Sequence, residues 1–148
     1  MTAESWTQPD PFYQPEFYSD VPVKRLVAWL IDTVIIIALV LLALPFTAFT
    51  GIFFLPLLFL GISFAYRVVT IANGSATLGM RLVAIEFLDG RGRRFGASEA
   101  FAHTLGYTIS WAFPIAQFIS VIFMASHERG QGLTDMVMGS VAINRRAR

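Results

Sequence analysis

Thr33 to Tyr66 is a run of 34 residues without one Asp, Glu, Lys or Arg, and Ala100 to His127 is a second such run, of 28. A water-soluble fold has no way to bury stretches of that length in a chain this short. Charged residues make up 14% of the chain and hydrophobic ones 55%, against about 25% charged in an ordinary soluble domain. Both runs are accommodated if the chain is an integral membrane protein. The composition excludes a disordered chain and a collagen-like repeat. With no Cys, it also excludes a disulfide scaffold and thiol-based metal or redox chemistry. The net charge of +1 says nothing of partners, because 11 basic residues offset 10 acidic ones.

The expected fold class is an all-α membrane protein with two full transmembrane helices, a third, proline-bent apolar segment and a small cytoplasmic β-hairpin. Residues 1–22 read as a flexible cytoplasmic tail, with Trp6, Phe12, Tyr13, Phe17 and Tyr18 set among four prolines. No Lys or Arg precedes Lys24, so the tail lacks the basic start of a signal peptide. Its aromatics suit a loose tail or a contact with the membrane surface or a partner. A membrane domain over 23–144 follows, and 145–148 is a basic tail. The first span covers about 26–44, near the ~20 residues that cross a hydrocarbon core, and Pro45 closes it. A short uncharged link to Gly51 makes the second span, about 52–71, its antiparallel neighbour. Val83, Ile85 and Phe87 alternate ahead of Asp89-Gly90, a hairpin over about 81–95. The third apolar segment, about 100–124, carries His103, Gln117 and Pro114, and proline usually bends a membrane helix.

The Lys/Arg bias sets the topology. Lys24 and Arg25 precede the first span, whereas Arg67, Arg81, Arg91, Arg93 and Arg94 follow most or all of the second. The positive-inside rule therefore puts the N-terminus and the insert in the cytoplasm. One full crossing by 100–124 would export Arg129, Arg145, Arg146 and Arg148. A segment bent back near Pro114 would keep them inside. Length favours the crossing and charge favours the return.

Asp32 is the costly residue. It lies two helical turns inside the first span, roughly 10 Å deep, where an ionisable group costs about 2.5–3.5 kcal/mol on insertion scales. It is either a working carboxylate or part of a buried ion pair. Arg67 returns at similar depth on the antiparallel helix and is the expected partner. Arg25 shares the face of Asp32 but leans towards the N-terminus, to headgroups or another segment. His103 is a packing residue or a proton relay. Asp135, after Gly130-Gln131-Gly132, reads as a helix-cap or loop residue. GxGxxG, P-loop, HExxH and CxxC signatures are absent, so the chain is not read as an enzyme, and no catalytic, cofactor-binding or metal-binding residue is assigned. The 73–99 insert has Arg but no aromatic platform, against nucleic-acid binding.

Three separated stretches, RLVAWLID, SATLGMRLVAIEFLDGRGRRF and GLTDMVMGSVAI, resemble in their order the RDD family of small bacterial membrane proteins, named for one Arg and two Asp. The resemblance spans about 22–144 and carries over Arg25, Asp32 and Asp135 as the polar trio. Met80, His103 and Ser140 stand where many members have Lys, Arg and Thr. The resemblance implies a multi-pass protein of the bacterial cytoplasmic (inner) membrane with an undefined role; transport, including sodium–proton exchange, has been suggested for members. It favours a cytoplasmic meeting of the trio, a re-entrant third segment, and Val141 and Ile143 adding a strand to the hairpin.

Two functions are expected. One is transport of an ion or small solute, with Asp32 as the binding carboxylate, Arg25 and Arg67 tuning it and Asp135 as a gate contact. Three apolar segments enclose little volume, so transport calls for a homo-oligomer. The other is a non-catalytic accessory or assembly subunit of a larger membrane complex. The expected partners are the lipid bilayer, further copies or other membrane subunits, and no nucleic acid; no cofactor is expected.

Overall fold

The structure is a computed structural model describing residues 8–145; Trp6 and the basic residues Arg146 and Arg148 lie outside the described residues. Helix α1 (Val21–Phe46) and helix α2 (Leu55–Ala72) are long and apolar enough to cross a membrane, α2 together with the 3-10 turn Thr50–Phe54 that leads into it. At 1.5 Å per residue α1 is about 39 Å long and α2 about 27 Å. Pro45 stands in the last turn of α1, and Ala48 and Phe49 adopt left-handed backbone to reverse the chain.

A short helix α3 (Leu78–Leu82) leads into strand β1 (Ile85–Leu88). The proline-bent segment expected over about 100–124 is two helices, α4 (Ala97–Ala112) and α5 (Pro114–Ser126), bent by 119°. Phe113 is the hinge: it is extended, its N–H donates to Ser110 O, and its carbonyl accepts from Gln117 N. Pro114 opens α5 where its missing N–H costs nothing. The bend sends the chain back to the end it came from. There α6 (Leu133–Met138) packs on α4, and strand β2 (Val141–Asn144) follows.

The sheet differs from the expected hairpin. β1 pairs antiparallel with β2, Leu88 opposite Val141 and Ile85 opposite Asn144. The Asp89-Gly90 turn is present but holds only one bridge, Leu88 to Arg94. Val141 and Ile143 offer a β-branched strand that 91–95, with its three Arg and Gly92, does not. Ile85, Phe87 and Ala142 face a core with Val21, Ala28, Ile71 and Met80. The opposite face, Leu88, Val141 and Ile143, is covered by Tyr18 and Phe17 from the segment read as a tail. Tyr18 Oη donates to Pro9 O at 2.7 Å, and Asn144 donates to the carbonyls of Glu16 and Ser19.

The packing is inverted relative to a soluble domain. Asp32, Arg67, Thr77, His103, Thr104, Ser120 and Asp135 are buried, while Val34, Leu41, Leu42, Leu57, Phe118 and Ile122 are exposed. A continuous apolar exterior of this kind is stable only against lipid. The closed sheet makes a direct test. In a chain otherwise without Cys, Leu88→Cys with Val141→Cys should form a disulfide on mild oxidation, since paired antiparallel residues lie about 4.5–5.5 Å apart. A third segment that crossed fully would put residue 141 on the far side and give no cross-link on a non-reducing gel.

Candidate functional site

Asp32 belongs to the buried stripe Ala28, Asp32, Ile36 and Val40, spaced one turn apart on α1. Its Oδ1 accepts from Tyr66 Oη at 2.7 Å and from the Gly79 N–H at 2.9 Å, and its Oδ2 from Thr77 Oγ1 at 2.6 Å. The local sequence produces this cradle. Thr77 caps α3, accepting the Met80 N–H on the same oxygen that gives its proton to Asp32. Gly79 offers a first-turn N–H that the helix leaves free. A Cβ at Gly79 would collide with the Ala28 carbonyl oxygen and stand 2.8 Å from Asp32 Oδ1, so only Gly lets α3 approach α1 here.

The expected Asp32–Arg67 ion pair does not form. Among the described residues Asp32 has neutral donors and no cation within salt-bridge distance. The reason is rotational: consecutive helix residues point about 100° apart. Tyr66 faces α1, so Arg67 faces α4. Its guanidinium lies 4.1 Å from the centre of the Tyr107 ring, and its Nη2 donates to Tyr107 Oη at 3.2 Å. Trp29 Nε1 donates to the same oxygen at 2.7 Å and stacks on Trp111. These side chains border a cavity of about 570 Å³ between α1, α2 and α4.

A second polar cluster lies at the sheet end. Asp135 is buried near the start of α6 and its Oδ2 accepts from Arg25 Nη1 at 2.6 Å and from Gly132 N at 3.1 Å. Its Oδ1 lies 2.8 Å from His103 Nε2 and accepts from Ser140 Oγ at 3.0 Å. Phe87 of β1 floors the cluster, with the His103 ring centre 4.4 Å away and the Arg25 guanidinium at 5.6 Å. Burial pushes the Asp135 carboxyl up, and Arg25 together with His103 outweighs this and holds it well below the usual carboxylate range.

The trio thus divides. Arg25 meets Asp135 together with His103, and Asp32 stands apart, two turns along the same helix, with its own donors. Asp135 does cap α6, as its position after Gly132 suggested, and it also forms the ion pair that sequence spacing could not reveal across 110 residues. The sequence does not single out Tyr66, Thr77, Gly79 or Tyr107, and marks Ser140 only as a departure from the family pattern. The Thr77-Leu-Gly step is a readable helix start, yet nothing local connects it to Asp32. Among the described residues no group of three or more His, Cys, Asp or Glu is arranged to hold a metal ion.

A family model described as the RDD family matches residues 21–139. No curated protein and no solved structure matches the chain.

Three outcomes follow from this geometry. Asp32→Ala strands three buried donors and should destabilise the folded protein by about 3 kcal/mol or more, whereas Asp32→Asn combined with Arg67→Ala should add within about 0.5 kcal/mol, as uncoupled sites do; thermal unfolding in detergent measures both. The Asp135 carboxyl is lower in the folded protein than its ordinary value of 3.8, so its stabilisation is complete above that value and fades as the pH falls below it. Wild-type melting temperature should therefore drop more steeply than that of Asp135→Asn between about pH 5 and pH 3, and parallel curves would refute the assignment.

Proposed function

The chain belongs to the RDD family, and we propose that it is a non-catalytic membrane module acting as an accessory or assembly subunit, in which the family's Arg and two Asp lock the fold. One observation carries this reading: both carboxylates are buried and held by hydrogen bonds from within the chain. Asp32 takes three hydrogen bonds, and Asp135 has two contacts on each oxygen. A carboxylate that is to bind and release a cation or proton needs a path to water. Both Asp32 and Asp135 are 1% exposed. In this reading Arg25, Asp32 and Asp135 tie α1 to the α3 loop and to α6, and His103 steadies Asp135 instead of relaying protons.

The same reading puts the N-terminus, the sheet and the C-terminus on the cytoplasmic side of a bacterial inner membrane. The distribution of cations supports it. Lys24 bonds Asn144, Arg25 bonds Asp135, Arg94 and Arg145 pair with Glu86, and Arg129 bonds Gln8. All of these gather at the sheet end, while the 46–54 link and the Phe113 bend carry no Lys or Arg, as the positive-inside rule requires. Partners are the bilayer and other membrane subunits, further copies of the chain included. No cofactor or nucleic acid enters this role.

Transport of an ion or small solute through Asp32 is the competing role, and flux separates the two. Reconstituted in vesicles with a trapped pH dye, the wild type should show no ion-driven proton movement. A pH-dependent flux lost in a folded Asp32→Asn variant would establish transport instead. Native mass measurement after mild extraction should show fixed-ratio unrelated subunits.

A further inference from the structure

We propose that the cavity between α1, α2 and α4 binds one anionic phospholipid, with its phosphate on Arg67 and Tyr107 and an acyl chain running along α2 towards Leu55. The inference starts from an electrostatic imbalance. Arg67 is 9% exposed and, among the described residues, faces no carboxylate within salt-bridge distance. Its buried Nε has no hydrogen-bond partner. Tyr107 Oη already accepts from Trp29 and Arg67, which leaves its own proton to give. The polar end of the cavity therefore presents donors and positive charge, and no Asp or Glu lines it. That chemistry selects an anion and rejects a cation.

The rest of the cavity selects a lipid over a hydrated anion. Below Arg67 the α2 wall is Ser63, Leu60, Phe59, Pro56 and Leu55. From Arg67 to Leu55 the wall runs 12 residues, about 18 Å along the helix, comparable with one leaflet of a hydrocarbon core about 30 Å thick. Leu55, Phe59, Leu60 and Trp111 are 39–48% exposed, so the mouth opens sideways on the apolar exterior. Arg67 lies five residues from the C-terminal end of α2, about 8 Å from the polar end of the molecule, within reach of a headgroup phosphate. The charged end is therefore near the interface and the apolar end near the bilayer centre, which is how a lipid of the sheet-side leaflet is oriented.

Two of the three Trp, Trp29 and Trp111, line this cavity, so the protein carries its own reporter. The full chain with W6F, placed in nanodiscs, is titrated with brominated-chain phosphatidylglycerol or brominated-chain phosphatidylcholine of matched chains. Phosphatidylglycerol should quench at mole fractions at least about fivefold lower, one basic side chain near a lipid surface supplying that much preference. R67Q should abolish the difference. S63F, which keeps the charge and fills the groove, should weaken quenching by both lipids. Equal quenching by the two lipids in the parent protein would overturn the proposal, as would a preference that survives R67Q or quenching untouched by S63F. Protection by water-soluble glycerophosphate as effective as by the lipid would make this a free-anion site and also overturn it. Should R67Q not fold, the parent comparison and S63F decide.

Discussion

A carboxylate inside a bilayer has no water to turn to, so the chain has to bring donors to it. At Asp32 they come from two directions: Tyr66 from the neighbouring helix, and Thr77 with the Gly79 N–H from the loop beyond it. The cradle accordingly fixes where α2 lies along α1 and where the polar insert begins. With α3 pinned to α1, β1 is delivered beside Val21 and Ala28. From there the position of the sheet, of Phe87 under Arg25, and of the returning C-terminal segment follows. A serine in place of Asp32 would offer neither the second oxygen nor the charge that justifies three converging donors.

The second cluster works by a different balance. Arg25 and Asp135 neutralise each other at the polar end, where Arg25 keeps partial contact with solvent and Asp135 has none. Removing either partner of such a pair leaves an uncompensated buried charge, whereas exchanging both for apolar groups can be neutral. His103 and Ser140 fill the remaining lone pairs of Asp135, which is what makes its burial tolerable. Arg67 lacks that arrangement, and its burial is offset only by the face of Tyr107 and one hydrogen bond.

Much of the architecture was legible from charge and punctuation. The charge-free runs marked α1 and α2, Pro114 marked the break in the third segment, and the surplus of Arg after it argued for the return that the structure shows. What escaped was set by angles and long separations. Arg67 and Tyr66 are adjacent, and one step around the helix decides which of them faces Asp32. Asp89-Gly90 is a true turn, but a turn signal ranks only the local partner, and the strand expected at Val141 and Ile143 takes the place of 91–95 beside β1 instead of adding to it. Phe87 read as a hydrophobic alternation and proved to be the floor beneath Arg25 and His103. Gly79 carried no signal of its own in the sequence, although its role is to let one backbone touch another.

The distance along the chain between paired elements has a consequence for how the protein is made. Donors for Asp32 emerge within 47 residues of it, so α1, α2 and α3 can close around that carboxylate while synthesis continues. Arg25 waits for a partner 110 residues away, and β1 waits for a strand that ends at Asn144. Until those partners emerge, β1 has a bare edge and Arg25 lacks its carboxylate. Asp135 and the 141–144 strand seal both, so a chain stopped short of Val141 is left with an open edge for quality-control proteases to recognise.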